Sequence, residues 1–129
     1  MENTIKLLIV DDHKIFRDGL KLLLGQFPFI GEIGEASDGK EFLDRLESGF
    51  PDLVLMDIQL PGMDGLSATK IIKEDPDLKD IPIVALTSYA MQGDKEKALA
   101  AGCTGYIAKP IDTRKFLETI SQYLNADDL

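Results

Sequence analysis

The sequence predicts an α/β fold, a five-stranded parallel sheet doubly wound by helices in a (βα)5 chain with strand order 2-1-3-4-5. Three observations carry that expectation. Short β-rich apolar runs alternate with longer segments of helical period, the pattern of a parallel sheet covered on both faces. The first run, Ile5–Val10, is apolar except for Lys6, as a strand buried on both faces requires. Right-handed crossovers leave few ways to close such a chain, and 2-1-3-4-5 is a common one, which makes strands 1 and 3 neighbours.

The elements follow in order. Phe16, Leu20, Leu23 and Phe27 recur at helical steps and make the first helix, stopped by Pro28. A weaker strand covers about 31–36, and Asp38 with Glu41 reads as an N-cap and capping-box partner for the second helix, closed by Gly49 and Pro51. The third strand is 53–56, followed by Asp57 and a loop holding Pro61 and Gly62. Asp64 is placed to cap the third helix, whose Ala68, Ile71 and Ile72 share a face until Asp75-Pro76 breaks it. The fourth strand is 82–86, ending at Thr87-Ser88, and the fourth helix covers about 93–101. The fifth strand is the short 105–107, and the fifth helix turns Phe116, Leu117, Ile120 and Leu124 inward.

Residues 1–129 fit a single domain with its core over about 4–125, and a chain of this size buries roughly two thirds of its unfolded surface. A hydrophobic fraction of 44% beside 29% charged residues argues against a disordered chain. Cys103 is the single cysteine, so no internal disulfide forms, and with His13 the single histidine a structural zinc site is excluded; a reducing cytoplasm is the expected compartment. The start is neither a signal peptide nor a membrane span. A net charge of -9 argues against direct nucleic-acid contact and favours basic protein surfaces and divalent cations as partners.

In a doubly wound sheet, ligands bind beyond the carboxyl ends of the strands. There the first strand runs into Asp11-Asp12, the third into Asp57, the fourth into Thr87-Ser88, and the fifth into Lys109-Pro110. Neighbouring strands lie about 4.8 Å apart, so the carboxylates after strands 1 and 3 approach closely. Two like charges about 4 Å apart repel by roughly 4 kcal/mol at an effective dielectric of about 20. A hard cation and a lysine offset that repulsion, and magnesium suits the site because it binds through one or two carboxylates and completes its shell with water and phosphoryl oxygens. Asp11 or Asp12 with Asp57 would hold it, with a backbone carbonyl of the following loop. An aspartate is a competent nucleophile towards phosphorus, and the Lys109 ammonium and Thr87 hydroxyl are placed to meet the transferred group.

Asp11-Asp12, the run from Leu55 through Asp57 to Gly65, Ala85-Leu86-Thr87 and Lys109-Pro110, in this order and spacing, resemble the response-regulator receiver family over nearly the whole chain. The resemblance implies the flavodoxin-like, CheY-like sheet and a cytoplasmic two-component signalling phosphoprotein. It implies that Asp57 accepts a phosphoryl group from a histidine kinase or histidine phosphotransfer protein in a Mg2+-dependent reaction, with Mn2+ able to substitute. It further implies that Asp11, Asp12, Asp57 and the backbone carbonyl of Gln59 hold the metal, that Thr87 and Tyr106 switch, and that Lys109 meets the phosphoryl oxygen ahead of a cis bond to Pro110. Gln59 and Tyr89 occupy positions that tune phosphate lifetime in similar proteins. A downstream protein or fused output domain would read the face of the fourth helix, fifth strand and fifth helix. The segment 56–116 looks most like stand-alone receivers of the DivK type, whereas the opening Asp11-Asp12-His13-Lys14-Ile15-Phe16-Arg17 resembles receivers joined to helix-turn-helix output domains. The short acidic tail fits either a whole single-domain regulator or a piece of a longer one.

Plainer roles stand beside these. Asp12 alone would serve as an N-cap, Thr87 as an ordinary strand-end residue, Tyr106 as an amphipathic edge residue, and His13 as an exposed residue of the first helical turn. Among other functions, a dedicated phosphatase with an aspartyl-phosphate intermediate needs a second acid two residues after the nucleophile, where this chain has Gln59. A flavin or nucleotide carrier needs a Gly-rich phosphate loop after strand 1, where Asp11-Asp12 would repel phosphate. A docking-only pseudo-receiver would not need the complete acid, threonine and lysine set.

Overall fold

The computed structural model describes residues 4–47, 49, 51–57, 65–87, 92–108 and 114–122. Its elements are β1 (Ile5–Val10), α1 (Lys14–Leu24), β2 (Ile30–Ala36), α2 (Gly39–Leu46), β3 (Leu53–Asp57), α3 (Gly65–Lys73), β4 (Ile83–Thr87), α4 (Gln92–Ala101), β5 (Gly105–Ala108) and α5 (Phe116–Ser121). All strand pairs are parallel and the sheet order is β2-β1-β3-β4-β5, as the alternation predicts.

Strand periodicity divides the core in two. Leu8 and Val10, Val54 and Met56, and Ile83 and Ala85 face one side, where Phe42 and Leu46 of α2, Ala68 and Ile72 of α3 and Ala98 of α4 cover them. Leu7 and Ile9, Leu53 and Leu55, and Val84 and Leu86 face the other, under Leu20 and Leu24 of α1 and Phe116 and Ile120 of α5. Every residue of β3 and β4 is buried, which explains why those runs carry no alternation in sequence.

Local signals hold with three corrections. Helix α1 ends at Leu24, short of Pro28, because Gln26 and Phe27 donate to the carbonyls of Leu23 and Leu24 and tighten the chain into i→i−3 turns; Phe27 still packs against the core. Asp38 accepts from the Glu41 backbone N–H as an N-cap, but the Glu41 carboxylate takes its bond from the Ser37 hydroxyl, 3.0 Å away. On α3, Ala68 and Ile72 are buried while Ile71 is 45% exposed, since a step of three from Ala68 turns it off the core-facing stripe that Thr69 occupies. Phe116 and Ile120 are buried as expected; the Leu117 side chain and Leu124 lie outside the described residues, as does Asp64.

Cys103 is buried, with its Sγ 3.9 Å from the Thr69 hydroxyl, and burial pushes the thiol up, so it stays protonated and serves as packing. Among the described residues no helix is long and apolar enough to cross a membrane.

Candidate functional site

The site begins in the ladder. Val10 pairs with Met56 across β1 and β3, so Asp11 and Asp57 stand one step beyond that pair. The Asp11 backbone N–H still donates to the Ala36 carbonyl at 3.0 Å, which holds it in register at the sheet rim. Asp57 pairs with Leu86, the residue before Thr87, and Thr87 pairs with Ala108. The parallel sheet thus brings the ends of β1, β3, β4 and β5 to one rim in strand order.

Asp11 and Thr87 are wholly buried there and Asp57 is 3% exposed, while Asp12 stays at the surface. One ligand atom from each of Asp11, Asp12, His13 and Asp57 lies within 4.8 Å of the others. Burying two carboxylates this close costs free energy that a divalent ion recovers, and three hard oxygen donors converging from two strand ends fit such an ion.

Asp12 does not cap α1; the N-cap is His13, with no side-chain capping bond. Instead the chain folds back on Asp11. Its Oδ1 accepts the His13 backbone N–H at 2.8 Å, and the His13 ring Nδ1 lies 3.1 Å from the same oxygen and 3.2 Å from Asp12 Oδ1. A histidine that sequence reading leaves as an exposed helix-start residue therefore joins the acidic group, though its side chain remains 67% exposed. The available signal was adjacency alone.

Arg17 and Glu35 also escaped the sequence reading. The Arg17 guanidinium donates to the Asp11 backbone carbonyl and, at 3.1 Å, to Glu35 Oε1, while Lys21 Nζ reaches Glu35 Oε2 at 3.0 Å. Arg17 sits six residues after Asp11, one turn into α1, and fastens the loop that carries both leading aspartates. Burial pushes the Glu35 carboxyl up, but the bonds from Lys21 and Arg17 outweigh it and hold the group below the usual glutamate range. A lowered folded value means that Glu35 adds stability above its ordinary value of 4.5 and loses it as pH falls through the lower folded one. Glu35→Gln should cost about 1 kcal/mol at neutral pH. The difference from wild type should shrink on acidification below that ordinary value, as followed by urea unfolding at stepped pH.

On the opposite face, Tyr106 pairs with Ala85 and packs half-buried against the cluster of α2, α3 and α4, while Thr87 continues the parity of Ile83 and Ala85. Thr87 and Tyr106 are therefore diagonal neighbours on one face of adjacent strands. Of the other expected site residues, Lys109, Pro110, Gln59 and Tyr89 lie outside the described residues; the ladder's last pair, Thr87 with Ala108, ends one residue before Lys109.

Comparison with known proteins agrees with this geometry. Residues 7–121 match the family described as response regulator receiver domain. The chain is 42% identical over 122 residues to the polar-differentiation response regulator DivK of Brucella ovis, covering 94% of this chain and 97% of that one. Among solved structures, the chemotaxis response regulator CheY4 of Vibrio cholerae superposes with a TM-score of 0.85 at 28% identity, covering 94% of this chain and 99% of that one. The Mn(2+)-bound form of response regulator Rcp1 superposes with a TM-score of 0.78 at 25% identity, covering 92% and 90%.

Proposed function

Because the chain belongs to the response-regulator receiver domain family, we propose that Asp57 is its phosphoacceptor, in a single receiver domain spanning 1–129 that relays the signal by a change of conformation. It is a two-component signalling receiver, and the phosphoacceptor role follows from the family. The observation that supports Asp57 most directly is the convergence of its carboxylate with those of Asp11 and Asp12 at the carboxyl edge of the sheet.

In the proposed reaction an Asp57 oxygen forms a bond to phosphorus as the P–N bond of a phosphohistidine breaks, and the departing imidazole keeps the bonding pair and takes a proton from solvent. Bound by Asp11, Asp12, Asp57 and the Gln59 backbone carbonyl, Mg2+ would supply positive charge against the transferring oxygens. Mn2+ would substitute, in keeping with the Mn(2+)-bound form known for Rcp1. Lys109, ahead of a cis bond to Pro110, would pair with a phosphoryl oxygen, and Thr87 would donate its hydroxyl to another. The Thr87 movement would let Tyr106 turn inward on their shared face, reshaping the α4, β5 and α5 surface for a downstream protein or output domain. About 1.4 kcal/mol of differential stabilisation changes the ratio of the two states tenfold. The protein promotes its own phosphorylation and dephosphorylation without acting as a dedicated phosphatase. It works in the cytoplasm with a histidine kinase or phosphotransfer protein as donor, and without direct contact to nucleic acid.

A small acyl phosphate with Mg2+ should add one phosphoryl group to the intact protein, read by mass spectrometry, and a chelator should prevent it. Absence of labelling with the metal present would refute the proposal. Lys109→Ala should keep Mg2+ binding yet lose the conformational response, followed by the amide NMR shifts of α4 and β5; a full response would remove Lys109 from the mechanism.

A further inference from the structure

His13 is the one member of the acidic group that the phosphorylation chemistry leaves unused. Its ring Nδ1 sits 3.1 Å from Asp11 Oδ1 and 3.2 Å from Asp12 Oδ1, so it is placed as an N–H donor between two carboxylates expected to bind metal. Any ion drawing on those oxygens competes with that ring. Mg2+ prefers oxygen and water and gains nothing from imidazole. Ions further along the Irving–Williams order, such as Co2+, accept imidazole nitrogen readily, and one ring nitrogen of His13 already lies within 4.8 Å of an oxygen from each of the three carboxylates.

From this geometry we infer that His13 sets the ion preference of the rim: its imidazole opposes Mg2+ at Asp11 and Asp12, and serves as a nitrogen ligand when a borderline ion such as Co2+ enters. The inference rests on the metal-binding reading of Asp11, Asp12 and Asp57. For Mg2+ the ring must leave the carboxylates. For Co2+ it stays, with the ring proton on Nε2 and the Nδ1 lone pair on the ion.

The side chain can be removed without dismantling the loop, because the bond to Asp11 Oδ1 from the backbone N–H of residue 13 and the bond from the Arg17 N–H to the carbonyl of residue 13 belong to the main chain. Calorimetric titrations of the metal-free protein with Mg2+ alone and with Co2+ alone, on wild type, His13→Ala and His13→Gln, test the inference. His13→Ala should bind Mg2+ about tenfold tighter and Co2+ about tenfold weaker, a change of about two decades in their ratio. His13→Gln, which can still donate to a carboxylate but offers no imidazole, should stay near wild type for Mg2+ and lose Co2+ affinity. A Co2+ to Mg2+ ratio unchanged within about threefold in His13→Ala, while wild type binds Mg2+, would overturn this inference and leave the phosphorylation reading intact. Wild type binding neither ion would overturn both.

Discussion

Asp57→Asn takes up no phosphoryl group from a small acyl phosphate and Mg2+, the largest functional effect expected for this protein. The amide nitrogen that replaces one carboxylate oxygen is no nucleophile towards phosphorus, and the substitution removes a charge that would help hold the metal. Its buried neighbour Asp11 is a poor replacement. Asp11 is wholly buried, and its Oδ1 already accepts the backbone N–H of His13. The same substitution should raise the melting temperature of metal-free protein. At a separation of about 4 Å and an effective dielectric of about 20, a pair of carboxylates repels by roughly 4 kcal/mol, and asparagine relieves a part of that. Mg2+ should narrow the gap, because it stabilises wild type more than the variant. Mass spectrometry reads the first effect and thermal melting with chelator or Mg2+ the second. Undiminished labelling of the variant would move the acceptor elsewhere.

Phe42→Ala should be the most destabilising single truncation in the core, by about 3–5 kcal/mol, measured as a shift of the urea midpoint at constant slope. Phe42 is fully buried and belongs to the cluster that joins Val10 and Ala36 to Val54, Met56 and Leu46. Its removal opens a cavity beneath α2 that β1 and β3, tied into the ladder on both sides, cannot collapse to fill. Against a typical domain stability of about 5–15 kcal/mol, such a loss is a large share of the total. Because β1 and β3 also carry Asp11 and Asp57, the variant should lose metal affinity as its fold weakens. A cost below about 1 kcal/mol would mean that α2 settles onto the sheet.

The elements were legible in the sequence because each is set by short-range chemistry. A strand buried on both faces must read as an apolar run, as Leu53 to Met56 does, and Asp38 announces α2 by a bond that spans only three residues. The site was legible for the same reason: a residue one step past an apolar run lies at a sheet edge, and strand order then makes neighbours of Asp11 and Asp57. Less legible were the details that depend on competition between partners. Helix α1 ends at Leu24 and not at Pro28 because i→i−3 bonds intervene, and Glu41 answers Ser37 where the capping-box pattern points it at Asp38.

By itself, then, the sequence determined the order and type of the elements, the two-faced core, and that Asp11, Asp57 and Thr87 end at the rim. Tertiary structure alone decided that His13 turns its ring onto Asp11 and Asp12, that Arg17 and Glu35 fasten the loop carrying those aspartates, and that Thr87 and Tyr106 share a face. The physical reason is one of range. Periodicity and caps act within a few residues and are written in the local pattern. The bond between Arg17 and Glu35 spans 18 positions, and the direction of an exposed ring depends on which partners the folded chain brings within about 3 Å of it.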